Sequence, residues 1–251
     1  MKNTRQLTYY MSPSKTMKLE ALEALPEGPF LISSQHAGQL RKQLMSYDVE
    51  ALKHFYAVSD KISQNAFDLL RIKQTGKSIE LFEGLVYKNL DYRSLEEHQR
   101  GYIDEHGKIG SALYGIIHAH QRLKPYRLDL DNPIHMHGQT LTQFWSKKVT
   151  DVLLKDEAEF IIDLSSEEYR DVLDLSRLRR KKRVIRIEFR ESIDGKLKNG
   201  ATYAKMARGQ FMRQAAIKHV TFIDELKSIT VMGYAFDATY SDEQCYYFIK
   251  Y

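Results

Sequence analysis

Ser12-Pro13-Ser14-Lys15-Thr16 groups hydroxyls, a lysine and free backbone amides at the end of an apolar run. A turn of this make-up is either an anion cradle or an ordinary capped turn. It lacks the glycines of a Walker loop, so it gives no support to nucleoside triphosphate hydrolysis. Pro125-Tyr126-Arg127-Leu128 sets a cation beside an aromatic ring. That pairing suits base stacking with phosphate clamping, or a core tyrosine next to an ion-paired arginine. Ser165, Glu168 and Tyr169 open a short helical pattern. Backbone donors there favour anions, and Glu168 is either a general base or part of a capping box. Farther on, Lys205, Arg208, Gly209 and Met212 share one helical face, and Arg213 follows them. A mid-helix glycine costs about 1 kcal/mol relative to alanine. Gly209 therefore implies a close approach by a neighbouring element or by a phosphorylated ligand. The pairs His118/His120 and His135/His137 have strand spacing for shared metal ligation, but no carboxylate stands at a ligand-like spacing. Ordinary surface or core histidines are the expectation, with no metal and no cofactor.

Charge is concentrated in one place. Residues 177–190 contain eight bases and one acid within a chain of formal net charge +5, so acids outnumber bases by two elsewhere. Arg179, Arg180, Lys181 and Lys182 form the centre of that run. A basic stripe on a near-neutral body fits phosphate-backbone binding; the competing reading is a solvated turn.

These groups need elements to position them. Residues 7–11 read as a strand stopped by Ser12-Pro13. Helices are expected at 34–45, 49–57, from Ser59 onward, at 94–106, 142–154 and 203–219. Residues 160–164 read as an apolar strand followed by a helix at 167–172. Along 183–190, Ile185, Ile187 and Phe189 alternate with Arg186, Glu188 and Arg190. Asp194-Gly195 signals a hairpin turn, and residues 229–238 and 244–250 read as a closing hairpin. This order predicts an α+β fold, an antiparallel or mixed sheet flanked by helices, in one domain spanning residues 1–251.

With 43% hydrophobic residues, 16 Tyr and 11 Phe, the chain can fill a full core. No apolar run reaches the roughly 18 residues of a membrane span. Residues 1–5 lead into no apolar signal core. Cys245 is the single cysteine, which excludes an internal disulfide and cysteine-rich metal centres. A cytoplasmic location is expected.

Nine segments in order resemble the YaaA family of bacterial peroxide-stress resistance proteins. They are Ser12-Pro13-Ser14-Lys15-Thr16, Val58-Ser59-Asp60-Lys61, Phe82-Glu83-Gly84-Leu85-Val86-Tyr87, Leu113-Tyr114-Gly115, Pro125-Tyr126-Arg127-Leu128, Gln143-Phe144-Trp145, Leu164-Ser165-Ser166-Glu167-Glu168-Tyr169, Tyr203-Ala204-Lys205 with Ala207-Arg208-Gly209, and Gly233-Tyr234-Ala235-Phe236. The resemblance implies a cytosolic protein induced by hydrogen peroxide that limits oxidative damage by lowering unincorporated iron. It also implies one mixed domain with a basic cleft, and double-stranded DNA binding through a helix-hairpin-helix-like element. The matching stretch is 51–73 around Ser59-Asp60-Lys61, although Ile62-Ser63-Gln64 carries no hairpin glycine.

Two functions stay open at this level. In the first, a DNA-binding stress protein lines a cationic cleft with Lys15, Lys61, Arg127, Lys205, Arg208 and Arg213, and the basic run extends the footprint. Ser12, Thr16, Tyr126 and Ser165 join it as phosphate or base contacts. In the second, an enzyme acts on a phosphorylated or nucleotide-like small molecule in the same cleft, with Lys15, Glu168 and Tyr169 as catalytic candidates. Both require the scattered cations to converge, with Glu168 close to one lysine. No membrane or protein partner is expected.

Overall fold

β1 (Leu7–Met11) is buried along its whole length, because both of its faces are covered. Tyr9 points to one face, where its hydroxyl meets that of Tyr102 at 2.8 Å; Tyr10 points to the other, donating to the Tyr169 carbonyl at 3.1 Å. The computed structural model containing these contacts describes residues 7–20 and 22–251. The expectation for residues 1–5 lies outside them.

β1 belongs to an eight-stranded mixed sheet with β2 (Gly107–Ser111), β3 (Gly115–His118), β4 (Phe160–Asp163), β5 (Arg183–Ile193), β6 (Lys196–Lys198), β7 (Ala235–Phe236) and β8 (Cys245–Lys250). The order is β7-β8-β5-β4-β1-β2-β3, with β6 paired to β5. β8, β5, β4, β1 and β2 run parallel; β3, β6 and β7 are antiparallel additions at the margins. The Asp194-Gly195 turn closes β5 onto β6, with φ +52° and +72°, as a two-residue hairpin of the primed type demands.

The helices are α1 (Ser34–Met45), α2 (Val49–Tyr56), α3 (Asp60–Arg71), α4 (Leu85–Leu90), α5 (Glu97–His106), α6 (Leu141–Lys155) and α7 (Ala201–Ile217), besides single helical turns. α5 and α7 cover the face bearing Tyr9, Ile162 and Ile185, where Phe211 of α7 stands edge-on to Phe189. α6 serves the opposite face; its Trp145 indole donates to the Ala112 carbonyl at 2.8 Å. One hydrophobic cluster runs through all these layers. The fold is therefore α+β, with a mixed sheet flanked by helices.

Two local readings change. The expected helix at 94–106 starts at Glu97, after a 3-10 turn at Tyr92–Ser94. On β5 the charged alternate positions do not face solvent: Arg186 and Glu188 are 3% and 6% exposed. They pair internally instead, Arg186 with Glu188 and with Asp163. Among the described residues, no helix is long and apolar enough to cross a membrane.

Candidate functional site

The chain leaves β1 toward β2 and later returns to β4, on the other side of β1. In open parallel sheets, the crevice outside the carboxyl ends at such a reversal is where ligands bind. Here the two loops that flank it are the Ser12 turn and Leu164-Ser165-Ser166. They are joined directly: the Ser166 amide donates to Ser12 Oγ at 2.8 Å, and the two hydroxyl oxygens lie 3.0 Å apart.

Four residues singled out in the sequence meet beside this junction. Lys15 Nζ lies 3.1 Å from Asp129 Oδ2, and Arg127 Nη1 donates to the Lys15 carbonyl at 3.3 Å. Glu168 Oε1 accepts from the Leu130 amide at 3.1 Å. Burial, then the neighbouring Asp129 and Asp131, raise the Glu168 pKa from its ordinary value, against the pull of the Leu130 amide and Lys15. The direct partner of Lys15 is thus Asp129 rather than Glu168. Tyr169 is 4% exposed and its hydroxyl has no hydrogen-bond partner; Arg127 Nε is buried and equally unpartnered. Thr16 is exposed, with its hydroxyl 3.2 Å from that of Ser14.

A second group adjoins from the sheet. Tyr10, Asp163 and Arg186 occupy one register row across β1, β4 and β5. The wholly buried Asp163 accepts from the Ser165 amide and hydroxyl at 2.9 and 2.6 Å and from Arg186 at 3.1 Å. Arg186 also binds Glu188 at 2.8 Å and the Ser165 carbonyl at 2.6 Å, so the pair pins the loop that carries Ser166. Arg208 of α7 shares this electrostatic environment. Burial, then the Arg186 charge, depress its pKa, and its Nε is buried without a partner. Gly209 next to it explains its own presence: a Cβ there would lie 2.0 Å from the Val86 carbonyl oxygen of α4. The close neighbour is a helix backbone, and Tyr87 on that helix donates to the Ser12 carbonyl at 2.7 Å. Arg208 therefore belongs to the Asp163–Arg186 side of the site, and α4, packed on α7 at Gly209, reaches the Ser12 turn through Tyr87; Lys205 is exposed one helical turn earlier.

α2 and α3 form the expected helical hairpin, but its turn is Ala57-Val58-Ser59, with Ala57 at φ +50°, rather than Ile62-Ser63-Gln64, which lies inside α3. The turn abuts the site. Tyr56, the last residue of α2, donates its hydroxyl to the Arg127 carbonyl, and the Arg127 guanidinium stands 5.7 Å from the Tyr56 ring centre. Lys61 projects exposed from the first turn of α3, where the Ser59 side chain leaves the helix amides uncapped.

With this arrangement in view, comparison with known proteins is decisive. A family model described as Peroxide stress protein YaaA matches residues 7–240. The chain belongs to that family. Relatives described as UPF0246 proteins are 32% identical in Finegoldia magna, over 96% of both chains. They are 30% identical in Rickettsia felis, over 96% of this chain and 98% of that one, and 30% in Streptococcus sanguinis, over 94% and 96%.

Several YaaA-like candidates are held elsewhere. Arg213 donates to the Leu90 and Asp91 carbonyls at 3.0 and 2.9 Å, closing the carboxyl end of α4. Tyr126 is buried, with its hydroxyl 2.7 Å from that of Ser111, so it does not offer a ring for stacking. Ser165 is fully buried in the Asp163 network. The centre of the basic run, residues 179–182, precedes β5, whose first residue pairs with the first residue of β4, so that part sits at the amino edge of the sheet, opposite the crevice, whereas Arg186 farther along reaches Asp163. The run is also not uniform. Arg179, Arg180 and Lys181 are exposed, but Lys182 Nζ donates to the Asp156 and Ala158 carbonyls at 2.5 and 2.6 Å.

The histidine pairs separate as well. The rings of His118 and His120 stack at 5.0 Å and, with Lys77, Asp104 and Phe30, line a cavity of about 630 Å³. His135 and His137 lie on a small exposed hairpin. Among the described residues, no group of three or more metal-ligating side chains is positioned for an ion.

Asp129, Asp131 and Asp163 were not singled out from the sequence, and Arg186 was read only as a member of the basic run and of an alternating strand. Asp163, the last residue of a parallel strand, had a readable signal: a carboxylate ending an otherwise apolar strand has to be paired.

Proposed function

We propose that this member of the YaaA family protects the cell from peroxide by binding DNA on the carboxyl edge of its sheet, limiting iron-driven damage. One observation supports this most: the α2–α3 hairpin turn packs, through Tyr56, on Arg127 of the carboxyl-edge cluster. Hairpin and crevice thus make one surface. Lys61 and the uncapped start of α3 offer phosphate donors on one side, and Arg127, Lys15, Lys205 and Arg208 offer cations on the other. Helix amides and separated cations are the groups that hold a sugar–phosphate backbone without reading sequence. Binding is expected to be independent of sequence and sensitive to salt.

The test is titration of the protein with duplex DNA at several salt concentrations, alongside the Lys61→Ala and Arg127→Ala variants. Each variant should lower affinity on every duplex alike and flatten the log–log salt slope by about one unit. Failure of the protein to bind duplex, or variants with unaltered slopes, would refute the reading. In cells lacking the protein, the same variants should restore peroxide resistance less well than the wild type.

A further inference from the structure

Lys15 faces the carboxylates Asp129 and Glu168, with Asp131 close by, and the Arg127 guanidinium joins the cluster through the Lys15 carbonyl beside the Ser12–Ser166 junction. Asp129 is committed to Lys15 at 3.1 Å, and Asp131 is exposed. Glu168 is half-buried and accepts a single backbone hydrogen bond. The Tyr169 hydroxyl, which shares the electrostatic surroundings of Glu168 and Asp129, and Nε of Arg127, which holds the Lys15 carbonyl, are buried donors with nothing to donate to. Unsatisfied buried donors are costly, and their concentration at one place marks a missing acceptor. That acceptor must also tolerate an excess of carboxylate charge.

We propose that this cluster is a phosphoryl-binding site whose ligand is bound together with one proton carried by Glu168. Arg127 and Lys15 supply the positive charge, and Tyr169 supplies a hydroxyl donor. With Glu168 protonated, two cations balance two carboxylates, and the neutral acid becomes a further donor to a phosphoryl oxygen. With Glu168 ionised, an arriving anion meets a net negative cluster. The groups facing Glu168 agree on the direction: Asp129 and Asp131 resist its ionisation, whereas Lys15 and the Leu130 amide favour it. A bound anion adds to the first set, so affinity falls as pH rises through the elevated Glu168 pKa. Phosphoryl groups reach the site from two sources, a DNA backbone or a free phosphorylated small molecule. The duplex arm of the idea rests on the function proposed above; the small-molecule arm does not.

The experiment is calorimetric titration of the full chain with inorganic sulfate, adenosine 5′-monophosphate and duplex DNA, each in two buffers of different ionisation enthalpy at pH 5 and pH 8. Sulfate does not titrate in this range, so any proton it brings in belongs to the protein. The expected result is proton uptake on sulfate binding near the elevated pKa, and at least tenfold weaker binding at pH 8 than at pH 5. Glu168→Gln should abolish uptake, make sulfate affinity independent of pH, and bind more tightly than wild type at pH 8. Arg127→Ala should weaken all three probes. Sulfate or nucleotide binding with proton uptake but no duplex binding would support the site and refute the DNA reading. Duplex binding without uptake would refute the proton coupling and leave the DNA reading standing. Binding of none of the probes, or uptake that persists in Glu168→Gln, would overturn the proposal.

Discussion

Ser12 and Ser166 are 154 positions apart in the chain, yet their hydroxyl oxygens lie 3.0 Å apart and the Ser166 amide donates to Ser12 Oγ at 2.8 Å. This contact ties the loop after β1 to the loop after β4, at the point where the order of parallel strands reverses. Ser12→Ala leaves the Ser166 amide without its partner. A loss of about 1 kcal/mol in urea unfolding is expected, together with weaker anion binding. A variant as stable as the wild type would show that the loops are held without this contact.

Gly209 lies where α7 crosses α4, with no room for a side chain. A methyl group 2.0 Å from the Val86 carbonyl oxygen forces the helices apart, and overpacking of this kind costs about 3 kcal/mol. Gly209→Ala should lower the melting temperature by many degrees, whereas Gly101→Ala, on open α5 surface, should not lower it. Because the same crossing carries Arg208, anion affinity should fall with stability at position 209 alone.

The basic run divides by its contacts. Lys182→Glu removes two hydrogen bonds from a charged donor to backbone carbonyls and puts an anion against those oxygens; a cost of about 2 to 4 kcal/mol is expected. Arg180→Glu, on an exposed side chain, should change stability by no more than about 0.5 kcal/mol. Denaturant midpoints measured side by side decide the matter.

Glu168 also sets a pH dependence of stability. Its pKa is higher in the folded protein than the ordinary 4.5, so folding favours the protonated form. The stability this contributes is fully present below about pH 4.5 and is lost as pH rises through the elevated value. Relative to wild type, Glu168→Gln should therefore gain stability on going from pH 4 to pH 7. Parallel melting curves over that range, with an unchanged difference between variant and wild type, would contradict the assignment.

Elements with a strong local period were legible in the sequence. β1, α1, the α2–α3 hairpin, α6, α7 and the Asp194-Gly195 turn lie where apolar spacing and capping residues put them. The parallel pairing of β1 with β4, and of β4 with β5, was not legible, because register depends on where the chain returns after long excursions, from Met11 to Phe160 in the first case and from Asp163 to Arg183 in the second. That gap explains the treatment of the charges. Arg186 and Glu188 read only as the charged alternate positions of their strand; both are buried, paired with each other and, through Arg186, with Asp163. Arg213 and Lys182 looked like free cations, and only tertiary structure supplies the carbonyls they bind. Lys15, Arg127 and Glu168 were legible as chemistry-bearing residues and do meet. Asp129, which pairs with Lys15, was hidden in a loop whose path no local pattern specifies.

The central claim is that the carboxyl edge is the face presented to phosphate. It is tested most directly by comparing duplex affinity across salt for two charge-reversal variants. One changes Lys15, Lys61 and Lys205 to Glu at the carboxyl edge; the other changes Arg179, Arg180 and Lys181 to Glu at the amino edge. All six side chains are exposed, so both variants should remain folded. The expected result is that the first loses most of its affinity and about three units of salt slope, while the second stays close to wild type. Loss of binding in the second with retention in the first would place the interface at the amino edge and contradict the claim.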